Sequence, residues 1–579
     1  MNIASTPLKA RLLVAAVLSA PASTVLAQAL TISAVSPAAS SAAAPRSGAL
    51  VVSFNQPLAA GSTGALSVFS AQRGGLRTSA TPAIVSGNML SFRPAPYDFR
   101  PGETVQYTVT TAATGTAPLA RARVGQFTTA AGGPGIGLFQ PAGSVAVGPY
   151  AESVALGDVD SDGDLDLLAA SANLSTGGAG IVSVRLNNGR GVFAGTQNVS
   201  VGRGTYSVAL GDVDGDGDLD FVTANFYDYT ASVRFNNGSG QFGGTQEVAV
   251  GMGAGNFPGT AALADLDGDG DLDLLVTCGG NNGLVAVRLN DGTGTFGPGL
   301  STPVDPGSLG LAVGDLDNDG DLDLVSSNNA AAGNVAVRLN AGNGTFVAAP
   351  NVAVGSRPYA VALADLDGDG DLDLATANAA GLTASVRLNN GGAVFTGTQE
   401  VPVNTAAINA GSFALTLGDV DADGDPDLLV ADTNANAVSV RLNNGTGSFS
   451  GLQSVAVGTG PDGLALADVD GDSDLDLVTA NNAGTASICL NGGNGSLAAI
   501  EATHPAASLS AYPTPTTGPV TVLGAEPHVL ITVSDAVGRL RLCTHADATG
   551  TASLALPAGL APGLYLVRAG SKTTRLTVE

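Results

Sequence analysis

The sequence predicts an all-β protein: a seven-bladed β-propeller with a β-sandwich on either side of it. Three observations predict this. Gly supplies 80 of 579 residues, aromatics only 4% and charged residues 13%, a composition suited to short strands joined by tight turns. An aspartate-rich string recurs seven times, at intervals of 54, 53, 50, 50, 54 and 49 residues. Each repeat has room for four short apolar strands, and a period near 50 residues with several strands is that of a propeller blade.

Charge narrows the partners. There are 50 acidic against 23 basic residues, a net of −27. That excludes a nucleic-acid protein held by a basic surface, and attraction to an anionic membrane. The 44% of hydrophobic residues argues against disorder. The three cysteines, Cys278, Cys489 and Cys543, are too far apart to suggest a disulfide framework or zinc set and read as small buried residues.

The chain opens with a secretory pattern. Lys9 and Arg11 precede an apolar run, Leu12 to Ala20, that is too short to span a bilayer, and Val25-Leu26-Ala27 supplies small residues for cleavage after Ala27. Residues 1–27 are therefore expected to be a signal peptide. No later segment has the length and apolarity of a transmembrane span.

One repeat shows the plan. Ser153 to Gly157 is a first strand leading into the acidic loop. Leu165 to Ala170 is the second strand and Ile181 to Leu186 the third. The third ends at Asn187-Asn188-Gly189, a turn that supplies positive φ cheaply, and Phe193 to Val201 is the fourth. The segment 138–148 resembles a fourth strand without its own repeat, and the last repeat weakens around Leu497 to Ile500. The early strand is therefore expected to complete the last blade and close the ring.

Each acidic loop places Asp at positions 1, 3, 5, 7 and 9. The first holds Asp158, Asp160, Asp162, Asp164 and Asp166, and the second Asp212, Asp214, Asp216, Asp218 and Asp220. The third holds Asp265, Asp267, Asp269, Asp271 and Asp273, and the fourth Asp315, Asp317, Asp319, Asp321 and Asp323. The fifth holds Asp365, Asp367, Asp369, Asp371 and Asp373, and the sixth Asp419, Asp421, Asp423, Asp425 and Asp427. The seventh holds Asp468, Asp470, Asp472, Asp474 and Asp476. These aspartates are 35 of the 50 acidic residues, so the negative charge is concentrated in the loops.

Carboxylates so crowded repel one another unless a cation sits among them. All-oxygen ligands at flexible geometry suit Ca2+, up to seven ions, better than Mg2+. Positions 1, 3 and 5 wrap the ion, position 7 offers its backbone carbonyl, and position 9 closes the site. Position 12 of the first loop is Ala169, so the loop is no EF-hand. The seventh loop, with Ser473 at the glycine position, is expected to be the weakest site.

Residues 136–500, with these loops and Asn-Asn-Gly turns, resemble FG-GAP/VCBS repeats, the units of integrin alpha-chain propellers and many bacterial surface proteins. The resemblance implies calcium in the loops and a role in adhesion or ligand binding. Residues 28–131, with Asn55-Gln56-Pro57-Leu58 and Arg100-Pro101-Gly102-Glu103, resemble bacterial Ig-like β-sandwich domains and are expected to act as a spacer. Residues 508–579, with Tyr512-Pro513-Thr514-Pro515 and Gly563-Leu564-Tyr565-Leu566-Val567, resemble the C-terminal sorting domain of the type IX secretion system of Bacteroidota. That implies the type IX machinery as a partner and the exterior or cell surface of a Gram-negative bacterium as the location.

Catalysis has little support. His504, His528 and His545 all lie beyond the repeats, so no nucleophile there has a His base. Binding has more. The end of the ring opposite the acidic loops gathers Tyr150, Tyr206, Tyr227, Tyr229, Phe257, Tyr359 and Phe413, which can stack on a sugar, anchor a protein, or simply fill the channel. Third-strand arginines at 185, 234, 288, 338, 387 and 441 are expected to pair with the acidic loops. The sequence thus points to a calcium-binding surface protein mediating adhesion or glycan/protein binding. A purely structural matrix component and an extracellular polysaccharide-acting enzyme stand as alternatives.

Overall fold

The computed structural model describes residues 28–492 except 96, 173–177, 252–254 and 404–411, and, beyond them, the strands and short flanks of residues 510–578. The signal segment 1–27, the fading end of the last repeat at 493–500, and His504 and His528 lie outside the described residues.

Within residues 28–492, seven four-stranded antiparallel sheets follow one another, the fourth carrying one extra two-residue strand. The first comprises Ala151–Gly157, Asp166–Ser171, Gly180–Asn187 and Phe193–Val201. Second strands such as Asp166–Ser171 and Asp427–Asp432 are buried along their whole length. A strand covered on both faces reads as a continuous apolar run, which is why Leu-Leu-Ala-Ala and Leu-Leu-Val-Ala recur there. Fourth strands such as Gly243–Ala249 are mostly exposed and rich in Thr, Gln and Glu, as an outer edge requires.

The early strand Gln140–Ala146 pairs with Thr485–Leu490, from Gln140↔Leu490 to Ala146↔Thr485, and so supplies the fourth strand of the seventh sheet. First strands pack on first strands around the cycle, the seventh on the first included.

The repeated asparagine after each third strand joins neighbouring sheets. The side-chain amide of Asn187 donates to the Val469 carbonyl of the seventh loop, and those of Asn236, Asn290, Asn340, Asn389, Asn443 and Asn491 do the same to the preceding loop, at 2.6–2.9 Å. In the sequence this asparagine reads as a turn residue only.

The arginine expectation is corrected. Arg185, Arg234, Arg288, Arg338, Arg387 and Arg441 reach the preceding sheet's outer strand, donating to the carbonyls of Ala146, Ser200, Ala249, Pro303, Ala353 and Pro402. Arg234 and Arg387 also pair with Glu247 and Glu400. They do not meet the acidic loops because their side chains run along the outer edge, where unpaired carbonyls of the preceding sheet need donors.

Residues 28–131 form two sheets. Ile32–Ser36, Leu50–Phe54, Met89–Phe92 and Ile84–Ser86 make one; Leu66–Ser70, Thr104–Val109 and Arg123–Thr128 make the other. They share a core of Leu50, Phe54, Leu90, Phe92, Tyr107 and Phe127. Residues 496–579 form a separate unit with its own core around Val522, Val533 and Val567. There Cys543 is exposed, against the expectation of burial, because it lies on the open face of its strand, whereas Cys278 and Cys489 are buried.

Candidate metal loops and the opposite cavity

The first strand of every sheet runs into an acidic loop whose backbone turns left-handed twice. Position 6 has φ of +101° at Gly163 and +98° at Gly424, and Ser473 holds +79° in the seventh loop, the strained substitution that the sequence singles out. Position 4 is also left-handed, even where it is Ser161, Asn318 or Ala422. The sequence does not display that requirement, since the residue type varies.

Position 9 is a clamp. Asp166 accepts the backbone N–H of Val159 on one oxygen (3.0 Å) and of Asn187 on the other (2.8 Å). Asp220, Asp273, Asp323, Asp373, Asp427 and Asp476 repeat the pattern. This aspartate ties its loop to the end of the third strand, with lone pairs left over for an ion. Position 7 lies against the glycine of the following turn. A Cβ at Gly189 would fall 2.6 Å from the Asp164 carboxylate, and Gly238, Gly292, Gly342, Gly391, Gly445 and Gly492 meet Asp218, Asp271, Asp321, Asp371, Asp425 and Asp474 likewise. Pro426 at position 8 is tolerated because only its carbonyl is used, accepting from Asn443.

The carboxylates converge as a cation site requires. In the first, second, fourth and fifth loops, positions 1, 3 and 9 bring ligand atoms within 4.8 Å of one another; in the third, Asp265, Asp267 and Asp269 do so. Among the described residues, buried carboxylate oxygens of Asp158, Asp267, Asp315, Asp367, Asp421 and Asp474 have no hydrogen-bond partner. Burial, helped by neighbouring aspartates, pushes Asp166 up to about 7, Asp427 to about 8 and Asp476 to about 9. A divalent ion would remove that penalty, supply the missing partners and hold these carboxylates ionised. The donor set therefore fits calcium, through positions 1, 3, 5 and 9 and the carbonyl of position 7.

The Ig-like region lies on this end of the ring, which corrects the expectation of a spacer. Arg73 pairs with Asp158, and the Asp158 N–H donates to Gln72. Leu76 N–H donates to Asp212 (3.0 Å) and the Thr108 hydroxyl to Asp265 (2.6 Å). Arg121 pairs with Asp319 and Asp321, and Val124 N–H donates to the Gly320 carbonyl. Gly132 N–H and Arg46 reach Ser473. Among the described residues, the fifth and sixth loops take no hydrogen bond from this region. Backbone groups and arginines that complement the loops are scattered along residues 46–132 and form no motif a sequence displays.

At the other end of the first strands lies a cavity of about 570 Å³, to which all seven sheets contribute. Tyr206, Phe257 and Tyr359 line it. Phe226, which the repeat pattern does not single out, stacks on Phe257 (4.4 Å between centroids, 7° between planes) and packs against Tyr206. Tyr229 stacks on the same Phe257, whereas Tyr227, edge-on to Phe226, is exposed. Tyr150 is exposed and left-handed (φ +54°) at the strand entrance, outside the cavity lining. The side chain of Phe413 lies outside the described residues. Arg203 is committed to Asp228 (2.7 Å).

Two carboxyls that do not figure among the residues expected at this end also line the cavity, Glu152 and Asp462. Burial, reinforced by Asp462, raises Glu152 to about 8, and the two share a hydrogen bond. They are too close to flank a glycosidic bond as acid and base, which needs about 5–9.5 Å between carboxyls.

The recurring loops match the FG-GAP-like repeat model at residues 158–223, 212–276, 265–326, 315–376 and 419–479, and the FG-GAP repeat model at 357–396. The chain carries FG-GAP repeats. Residues 27–129 match the bacterial Ig-like domain model. No curated protein matches the chain.

Similar solved structures include the BP39L lectin of Burkholderia pseudomallei, 15% identical, covering 60% of this chain and 98% of that one at a TM-score of 0.45. An Agrocybe aegerita lectin described as recognising non-reducing terminal N-acetylglucosamine is 22% identical, covering 59% and 86% at 0.39. Virginiamycin B lyase of Staphylococcus aureus is 13% identical, covering 61% and 99% at 0.40. Among the described residues, no helix is long and apolar enough to cross a membrane.

Proposed function

We propose that this FG-GAP protein is a secreted or cell-surface, calcium-binding, seven-bladed β-propeller that binds a glycan or a surface protein. The seven sheets are the blades, and up to seven Ca2+ ions occupy the loops. One observation carries the reading: the Ig-like region covers the acidic end of the ring, while the opposite end holds an aromatic-lined cavity of ligand size.

The ions hold the ring together and do no chemistry, since they lie a strand's length, roughly 20 Å, from the cavity. Export through the signal segment and delivery by a type IX sorting domain at 508–579 belong to the same reading, which places the protein outside a Gram-negative cell. A glycan array probed with the full chain, with calcium and with excess chelator, tests the binding. Calcium-dependent signal on a defined glycan set supports it; a blank array, together with no retention on surface-protein fractions, overturns it.

A further inference from the structure

The second residue of each first strand occupies one repeated position, at Glu152, Tyr206, Phe257, Leu309, Tyr359, Phe413 and Asp462. The position is not uniform. Aromatic or aliphatic residues fill five of the sheets, and carboxyls fill the first and seventh, which are neighbours in the cycle. Packing alone would favour the same kind of residue throughout, so the odd pair invites a ligand explanation.

We infer that the cavity receives an organic ammonium group, held at Glu152 and Asp462 with its carbon body against Tyr206, Phe257 and Tyr359. The inference rests on the reading of this end as the ligand-binding end and adds the charge of the ligand.

Several features converge on it. Among the described residues, the cavity lining contains no Lys, Arg or His, so the carboxyl pair has no counter-cation there. Asp462 is fixed in advance by the Thr433 hydroxyl (2.8 Å) and the Asn482 amide (2.6 Å), which lowers the cost of ordering it on binding. Aromatic faces beside it attract cations further. The space, about 570 Å³, suits a small organic molecule and exceeds what a bare ion needs. An anionic ligand would face two carboxyls with nothing to offset them.

The groups facing Glu152 are Asp462, Tyr206 and Tyr359, and burial with Glu152 raises both tyrosines as well. With Glu152 pushed up to about 8, a proton bridges the pair at neutral pH. An incoming ammonium group takes that proton's place, and the proton leaves to solvent.

The test is calorimetry on the full chain in excess calcium, with benzylamine and benzyl alcohol as probes matched in body and different in charge. Benzylamine is expected to bind at least tenfold more tightly than the alcohol, and to lose about tenfold in Glu152→Gln and in Asp462→Asn. In the unaltered protein its affinity rises from about pH 6 to about pH 8, by up to about tenfold per unit, and then levels. That profile keeps the test sound if either variant folds poorly. Equal affinity for the two probes, no benzylamine binding at millimolar concentration, or a flat pH profile overturns the inference. If neutral glycans bind while benzylamine does not, the ligand-end reading survives without this inference. If benzylamine binds and the array is blank, the inference stands and the glycan reading falls.

Discussion

The two ends of the ring are built on opposite principles. At the acidic end, seven loops repeat one design: a left-handed turn at positions 4 and 6, a clamp at position 9, and an asparagine bridge to the next sheet. At the other end the same strands begin with whatever residue the position received, and two neighbouring carboxyls break the pattern. Repetition serves cohesion, because each loop must meet its neighbour in the same way. On the proposed reading, irregularity serves recognition, because a single ligand sees one side of the ring.

Calcium removal should separate the two ends most. Ion at ten times its dissociation constant stabilises by about 1.4 kcal/mol per site, so seven sites give on the order of 10 kcal/mol. For a ring of this size that is a drop of roughly 10 °C or more in the melting temperature on adding chelator. An unchanged melting curve would remove the cohesive role assigned to the loops.

Next comes Glu152→Gln, measured with calcium in excess so that the loop aspartates stay ionised. The folded pKa of Glu152 is raised to about 8, above an unfolded value near 4.3. Its favourable contribution is therefore complete below about pH 4 and is lost as pH climbs through 8. The glutamine variant should gain on the unaltered protein across that window, by a few kcal/mol at pH 9, with no difference at pH 4. A pH-independent difference in stability would contradict the buried proton.

Asn443→Ala should cost about 1–3 kcal/mol, since it strands the Leu366 and Pro426 carbonyls, and melting should fall by several degrees. Arg121→Ala should change stability least, by under about 1 kcal/mol, because half of the arginine side chain is in water. A large loss there would mean that the Ig-like region holds the acidic end far more firmly than its exposed contacts suggest.

Much of the acidic end is readable from sequence because it repeats. Periodic aspartates and glycines mark the loops, and the first repeat's expected strand boundaries fall within two residues of those observed. The unpaired early strand is legible because its composition matches a fourth strand and nothing precedes it in phase. The asparagine bridge escapes notice because a residue that starts a turn and a residue that spans two sheets look alike in sequence. The arginines mislead because their partners are backbone carbonyls, which every residue has. Glu152 and Asp462 are visible in principle: aligning the repeats on their first strands puts both in the column that yields Tyr206 and Tyr359. A scan for aromatic rings passes over them.

The seam between Gln140–Ala146 and Thr485–Leu490 has a mechanical consequence. The chain enters it at Gln140 and leaves it at Leu490, and those two residues face each other across the pair. Tension applied through the flanking segments would therefore peel the seam apart rung by rung instead of shearing all its rungs together. Under such tension the ring would unlatch at that point first, while the other sheets, closed by chain on both sides, keep their shape.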